Sequence, residues 1–122
     1  MVKKDYAMEN VDGIIKTVGR MAFPGKDSIS DADKQAKSRA SYDYILGLLA
    51  QGNINDAENY LFEILKPEDR SNLKLGLWFY DQINGWDDDQ LEASDYSRDE
   101  IKDGIHRVAK MFGFSSIVET LM

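Results

Sequence analysis

The sequence holds a single histidine, His106, and this side chain is the first candidate for chemistry. A histidine can act as a general base because its unperturbed pKa lies near neutral pH. His106 follows Ile105 on a predicted helix, between Asp103 and Arg107, where a surface or boundary position is the preferred interpretation. With one histidine and no cysteine, a zinc site would depend on carboxylates, which is unusual. We therefore predict neither a catalytic residue nor a metal site.

Two acidic clusters, Asp87 to Asp89 and Ser30 to Asp33, could attract a hard cation such as Ca²⁺. A calcium-binding EF-hand loop also requires a glycine at its sharp turn, and the segment at Asp87 lacks it. Acidic side chains at a helix N-terminus are stabilised by the helix dipole. Both clusters are therefore interpreted as helix starts.

Motifs that bind phosphate or supply a nucleophile are missing from the sequence. The segment "FPGKDS", Phe23 to Ser28, contains Gly-Lys but not the glycine spacing of a P-loop. No Gly-x-Ser-x-Gly elbow of the hydrolase type is present. We predict that the protein is not an enzyme and uses no cofactor.

Aromatic residues are concentrated in the central part of the chain. Trp78, Phe79 and Tyr80 are consecutive, and a helix turns about 100° per residue, so we predict that at least one of them reaches the surface or a groove. The alternative is that two helical layers bury them on opposite sides. Since aromatic residues are enriched at binding surfaces, we predict Tyr42 and Trp78 as partner-binding residues.

Composition limits the classes of partner. The chain has 122 residues and a formal net charge of −7 with a pI of about 4.6. This length suits one domain, residues 1–122. Binding to nucleic acid or to an anionic membrane is disfavoured because both require clustered cations. The start "MVKKDYAMEN" lacks the apolar region of a signal peptide, and no apolar run approaches the ~20 residues of a membrane span. We predict a cytoplasmic protein.

The segment "LLAQGNINDAENYLFEILKP" predicts a tight helical hairpin. A first helix, about Lys4 to Phe23, precedes a second that begins near Ser28 or Ser30 and ends at Gln51. Gly52 suits the left-handed residue after a helix. Asn53 then serves as the N-cap of the third helix, with Asp56 three residues later.

Six further helix boundaries are predicted from turn and cap signals. Pro67 is placed at or near the start of a fourth helix, which ends at Asn84-Gly85. Its residues 73–79 also alternate as in a strand, but the helical period continues further. Asp87 to Gln90 and Ser97 to Glu100 have the spacing of capping boxes. Gly113 ends the helix that Ser97 begins, and Ser116 caps a final turn.

The hairpin resembles a tetratricopeptide repeat. Gly52 and Ala57 stand where that motif has small residues, and Gly85 lies close to one repeat later. Gln90 stands where a second alanine is required, so the chain contains one good hairpin and one degenerate half. We predict an all-α, right-handed array of about five to six helices, tetratricopeptide-like in the middle.

Two segments, "KKDYAMENVDGIIKTVGRMAF" and "YDYILGLLAQGNINDAENYLFEIL", resemble an uncharacterised bacterial family of small helical proteins, classed as a domain of unknown function. The resemblance implies a tetratricopeptide-like fold in the cytoplasm of Firmicutes-type bacteria. It implies no activity and no functional residue.

The predicted function is a non-enzymatic helical adaptor that binds a protein segment or a second copy of itself, the latter as a symmetric homodimer. The alternative is a small-molecule sensor or enzyme with a pocket between helices, in which Trp78 lines the pocket and His106 or an acidic residue supplies polarity.

Overall fold

A computed structural model describes residues 2–23 and 39–121. The described residues form seven α-helices and contain no strand, which confirms the all-α class. The seventh helix was predicted only as a turn. The predicted start of the second helix, the acidic cluster from Ser30 and the segment after Phe23 lie outside the described residues. The helices are α1 (Val2–Ala22), α2 (Arg39–Ala50), α3 (Ile54–Ile64), α4 (Ser71–Asn84), α5 (Asp88–Ala93), α6 (Arg98–Met111) and α7 (Ser115–Leu121).

Helix α4 lies at the centre of the structure. α1 and α6 pack against it, α7 packs against α1 and α6, and α2 packs against α3. Every residue from Leu73 to Tyr80 is buried, as is typical of a helix that is apolar on all sides. In the described part of the chain, no helix is both long and apolar enough to span a bilayer.

The prediction that Trp78, Phe79 or Tyr80 reaches the surface is wrong, because all three are buried. Helices pack around α4 on more than one side, so side chains that leave it in different directions still meet protein. The Trp78 ring contacts α2, and the Tyr80 hydroxyl reaches α3. The alternative interpretation, burial on opposite sides, describes the structure.

Gly52 closes the turn between α2 and α3, as predicted. Its φ is +78°. Its N–H donates to the Leu49 carbonyl at 3.0 Å, and the Asn53 N–H donates to the Leu48 carbonyl at 2.9 Å. This pair of bonds is a Schellman motif, and Gly113 ends α6 in the same way. The turn reverses the chain within a few residues, so that α3 packs against α2.

Asp95 ends α5 with the same pair of hydrogen bonds, although it is not a glycine. Its φ is +58°, and it is the only described non-glycine residue with a positive φ. Its N–H and that of Tyr96 donate to carbonyls of α5 at 3.0 Å each. A side chain at this φ brings Cβ close to the following carbonyl, which costs free energy in the folded state.

We expect Asp95→Gly to raise the free energy of unfolding by about 0.5–1 kcal/mol, because glycine adopts this backbone conformation without a crowded Cβ. Asp89→Gly is the matched control. Asp89 lies in the first turn of α5, so the same exchange there should lower the free energy by about 0.5–1 kcal/mol. Urea denaturation measures both. A decrease in the free energy of unfolding of both variants would contradict the expectation.

The predicted N-caps of α5 and α6 are confirmed. The Gln90 N–H donates to Asp87 Oδ1 at 2.8 Å, and the Asp87 N–H donates to the Gln90 side chain at 3.3 Å, which completes a capping box. At α6, the Glu100 N–H donates to Ser97 Oγ at 3.2 Å.

Pro67 is not at the start of α4, so this prediction is wrong. The helix begins at Ser71, four residues later. The Lys66 N–H donates to Asn72 Oδ1 at 3.0 Å, and Asp69 Oδ1 accepts bonds from the Ser71 N–H and Oγ at 3.1 and 2.7 Å. Side-chain hydrogen bonds of this kind favour a turn over a helix. The chain therefore forms a turn between Pro67 and Ser71.

Two other predicted caps differ from the structure. Asn53 lies at the N-cap position of α3, but its side chain donates to Gln51 Oε1 at 3.3 Å and makes no cap bond. Helix α7 begins at Ser115, so Ser116 lies within the helix and does not cap it.

Candidate functional site

Tyr42 and Trp78, the predicted partner-binding residues, are in contact with each other and buried. Each is 2% exposed. Their ring centroids lie 4.5 Å apart with planes at 74°, the edge-to-face arrangement that aromatic pairs favour. The pair joins α2 to α4. A partner-binding role for them stays a prediction, but rings this buried offer almost no surface to a partner in this structure.

His106 forms a contact between two helices at the surface. Its Nε2 lies 3.2 Å from Glu119 Oε2 of α7, and the two side chains are 36% and 62% exposed. This is the boundary position that the sequence indicated. Across residues 2–23 and 39–121, no group of three or more potential ligands among His, Cys, Asp and Glu lies together.

Arg98 connects the end of α4 to α5 and α6. Its guanidinium donates to the carbonyls of Asn84 and Trp86 at 2.8 Å each, and its Nη2 lies 2.9 Å from Asp88 Oδ1. The positive charge therefore lies at the negative end of the α4 dipole. Arg98 was not predicted from the sequence as a structural residue. Its partners lie 10 to 14 positions away, and only the packing of the helices brings them together.

A partly buried carboxylate joins three segments of the chain. Glu58 Oε2 on α3 accepts hydrogen bonds from the Tyr80 hydroxyl of α4 at 2.5 Å and from the Tyr96 hydroxyl at 2.8 Å. Burial, followed by the charge of Glu58, raises the pKa of Tyr80 well above its usual value. Burial, followed by the hydrogen bond to Glu58, also raises the pKa of Tyr96 well above its usual value.

Both tyrosine hydroxyls therefore keep their protons and donate hydrogen bonds to Glu58. An activated nucleophile or base requires a tyrosine pKa shifted in the opposite direction. The Glu58 cluster is thus suited to holding α3 against α4 and the segment before α6. No local pattern indicates this cluster, because Glu58 lies 22 and 38 positions from its partners.

The outer face of the α2–α3 hairpin carries two tyrosines. Tyr44 is 54% exposed, and its ring centroid lies 4.5 Å from that of Tyr60 on α3. Asp56 and Glu63, both exposed, lie one turn before and one turn after Tyr60. We name Tyr44, Tyr60, Asp56 and Glu63 the tyrosine patch.

The tyrosine patch is open to a ligand on both helices. Gly47 lies one turn after Tyr44, and a Cβ placed there would meet no atom within 4 Å. Asp56 and Glu63 form no ion pair with any described residue. The tyrosine patch therefore combines aromatic surface with two carboxylates that are free to accept a cation.

A shallow depression lies beside the turn between α2 and α3. Its cavity volume is about 100 Å³, whereas pockets for organic ligands have roughly 300–1,000 Å³ and mostly apolar walls. Its lining is polar, and neither Trp78 nor His106 belongs to it, so it does not support the predicted alternative of a small-molecule pocket. It is lined by Gly52, Asn53, Ile54, Asn55, Asp56 and Ser94.

Comparison with known proteins assigns the chain to a family without assigning an activity. No curated protein and no solved structure matches it. One family model matches residues 1–113, which is nearly the whole chain. The chain therefore belongs to the family described as "Family of unknown function (DUF6483)".

Proposed function

We propose that this protein is a non-enzymatic interaction module that binds a segment of another protein at the tyrosine patch. The observation that carries the proposal is the contact between the exposed Tyr44 and the half-buried Tyr60, beside two exposed carboxylates that form no ion pair with a described residue. Tyrosine offers a large contact area at a low cost in side-chain entropy, and for this reason it is enriched at binding surfaces.

The charge of the tyrosine patch favours a basic segment as its occupant. A lysine or arginine of the partner can reach Asp56 or Glu63, and a cation can also stack on a tyrosine ring. Seven residues separate these carboxylates, which is about 10 Å along the helix axis. An extended segment spans this distance in about three residues, so the partner would carry cations three positions apart with an apolar side chain between them.

The hairpin that presents the tyrosine patch is, in this proposal, tetratricopeptide-like. Support comes from the left-handed Gly52 at its turn and from the burial of Ala57 and Leu61 on α3. The bacterial cytoplasm that the sequence resemblance implies is the proposed setting.

A short peptide with a central tryptophan and flanking lysines three positions apart provides the test. We expect it to bind, and we expect Tyr44→Ala/Tyr60→Ala to weaken binding at least 10-fold in fluorescence anisotropy, because the rings form the contact. Asp56→Asn/Glu63→Gln should weaken binding and reduce its dependence on salt. Met21→Ala is the control, because Met21 is equally exposed, at 56%, but lies on α1.

Equal binding by the wild type and the double tyrosine variant would overturn the proposal. A second copy as the occupant would also contradict it. In that case sedimentation would show a concentration-dependent mass that Tyr44→Ala/Tyr60→Ala abolishes, without peptide binding.

A further inference from the structure

We propose a second interaction surface, on the opposite side of α3, that binds an acidic segment of a partner protein. Phe62 lies two residues after Tyr60, which places it about 200° around the helix. Its ring is partly buried against the core, and the Arg107 guanidinium of α6 lies 4.2 Å from the ring centroid. This face is therefore formed by α3 and α6, whereas the tyrosine patch is formed by α2 and α3.

A second arginine stacks on a second phenylalanine close by. The Arg70 guanidinium lies 5.4 Å from the ring centroid of Phe114. Arg107 and Lys110 lie three residues apart and share one side of α6. Phe114 follows the left-handed Gly113 that ends this helix, and its N–H donates to the Ala109 carbonyl at 2.7 Å. The stack of Arg70 on Phe114 therefore lies at the C-terminal end of α6, the helix that also carries Arg107.

Lys66, in the segment that connects the end of α3 to Arg70, adds a further cation. We name this set of residues the arginine–phenylalanine surface: Phe62, Lys66, Arg70, Arg107, Lys110 and Phe114. All four of its cationic residues are exposed.

The four cations of this surface form no ion pair with any residue that the structure describes. In a chain of net charge −7, four such cations in one region are a local exception. Stacking on a ring orients Arg70 and Arg107 before a partner binds, which reduces the loss of side-chain entropy on binding.

A carboxylate-bearing protein segment fits this surface better than a nucleic acid does. An arginine fork matches a carboxylate with two parallel hydrogen bonds, and the phenylalanine rings offer apolar contact to a neighbouring side chain. A long polyanion would extend beyond the surface and meet the negative charge of the remaining protein. The occupant is therefore a short acidic segment that carries an apolar residue.

The test uses a labelled oligoglutamate peptide with one central leucine at low ionic strength. We expect Arg70→Gln/Arg107→Gln to weaken its binding at least 10-fold. Arg39→Gln/Lys16→Gln removes the same two charges elsewhere, from residues already paired with Asp43 and Asp12 at 3.6 and 3.0 Å, and should weaken binding less than 2-fold. Lys66→Gln/Lys110→Gln leaves both stacked arginines in place and should weaken binding about 3-fold or more.

Three results would overturn the inference: no binding by the wild type, equal weakening by the Arg70/Arg107 variant and the Arg39/Lys16 control, or tighter binding of single-stranded DNA than of the peptide. Tyr44→Ala/Tyr60→Ala should bind the acidic peptide with unchanged affinity. Failure of this inference is thereby separated from failure of the proposed function.

Discussion

Replacement of Trp78 by alanine is expected to lower the free energy of unfolding by about 3–5 kcal/mol. The side chain is 2% exposed, and it packs edge-to-face on Tyr42. Removal of the indole leaves a cavity between α2 and α4 that the surrounding helices can fill only in part. Since a domain of this size is stable by about 5–15 kcal/mol, the variant should lose between about a fifth and nearly all of its free energy of unfolding.

Urea denaturation followed by circular dichroism measures this loss. Trp86→Ala is the matched control, because it also removes one indole but from a partly exposed position before α5, and it should cost clearly less. If Trp78→Ala were as stable as the wild type yet failed to bind a partner, the sequence-based assignment of Trp78 as a contact residue would be correct after all. Equal losses in the two variants would also contradict the structural argument.

The sequence predicted the ends of several helices because their signals are local. The left-handed residue at Gly52 and the caps at Asp87 and Ser97 depend on residues within five positions of one another. Backbone geometry over such short distances is nearly independent of the remaining fold. Pro67 is one exception, since the side chains of Asp69 and Asn72 stabilise a turn that a proline-based rule does not anticipate.

Burial around α4 was harder to predict, although the sequence held a usable signal. Lys74 and Asp81 are the only charged residues between Ser71 and Asn84, and so low a charge indicates a helix enclosed by protein. The expectation that Trp78, Phe79 or Tyr80 reaches the surface assumed that α4 has a solvent face. Residues 73–80 of this helix have none, because all of them are buried.

The candidate surfaces depend on how helices are placed relative to one another. Tyr44 and Tyr60 lie on adjacent helices, and Arg107 meets Phe62 across a separation of 45 positions in the sequence. No spacing rule connects such residues, so the sequence alone gave no reason to select them over Tyr42 and Trp78. The hairpin turn at Gly52 was predicted, but the side of each helix that remains exposed was not.

The close approach of α4 and α6 leads to the second large effect. A Cβ at Gly104 on α6 would overlap the hydroxyl and ring of Tyr80 on α4. Tyr80 cannot move away freely, because it is fully buried and bonded to Glu58. We expect Gly104→Ala to lower the free energy of unfolding by about 2–3 kcal/mol, even though alanine is the better helix former.

Gly47→Ala is the matched control, because Gly47 is an exposed glycine within α2 where a Cβ would meet nothing. It should raise the free energy of unfolding by about 0.5–1 kcal/mol through helix propensity alone. The same substitution thus has opposite signs at the two sites if contact with Tyr80 is the cause. In a Tyr80→Leu background the shorter side chain removes the overlap, so Gly104→Ala should lose most of its cost. A cost that persists in that double variant would show that the α4–α6 contact, and not the Tyr80 ring, excludes a side chain at Gly104.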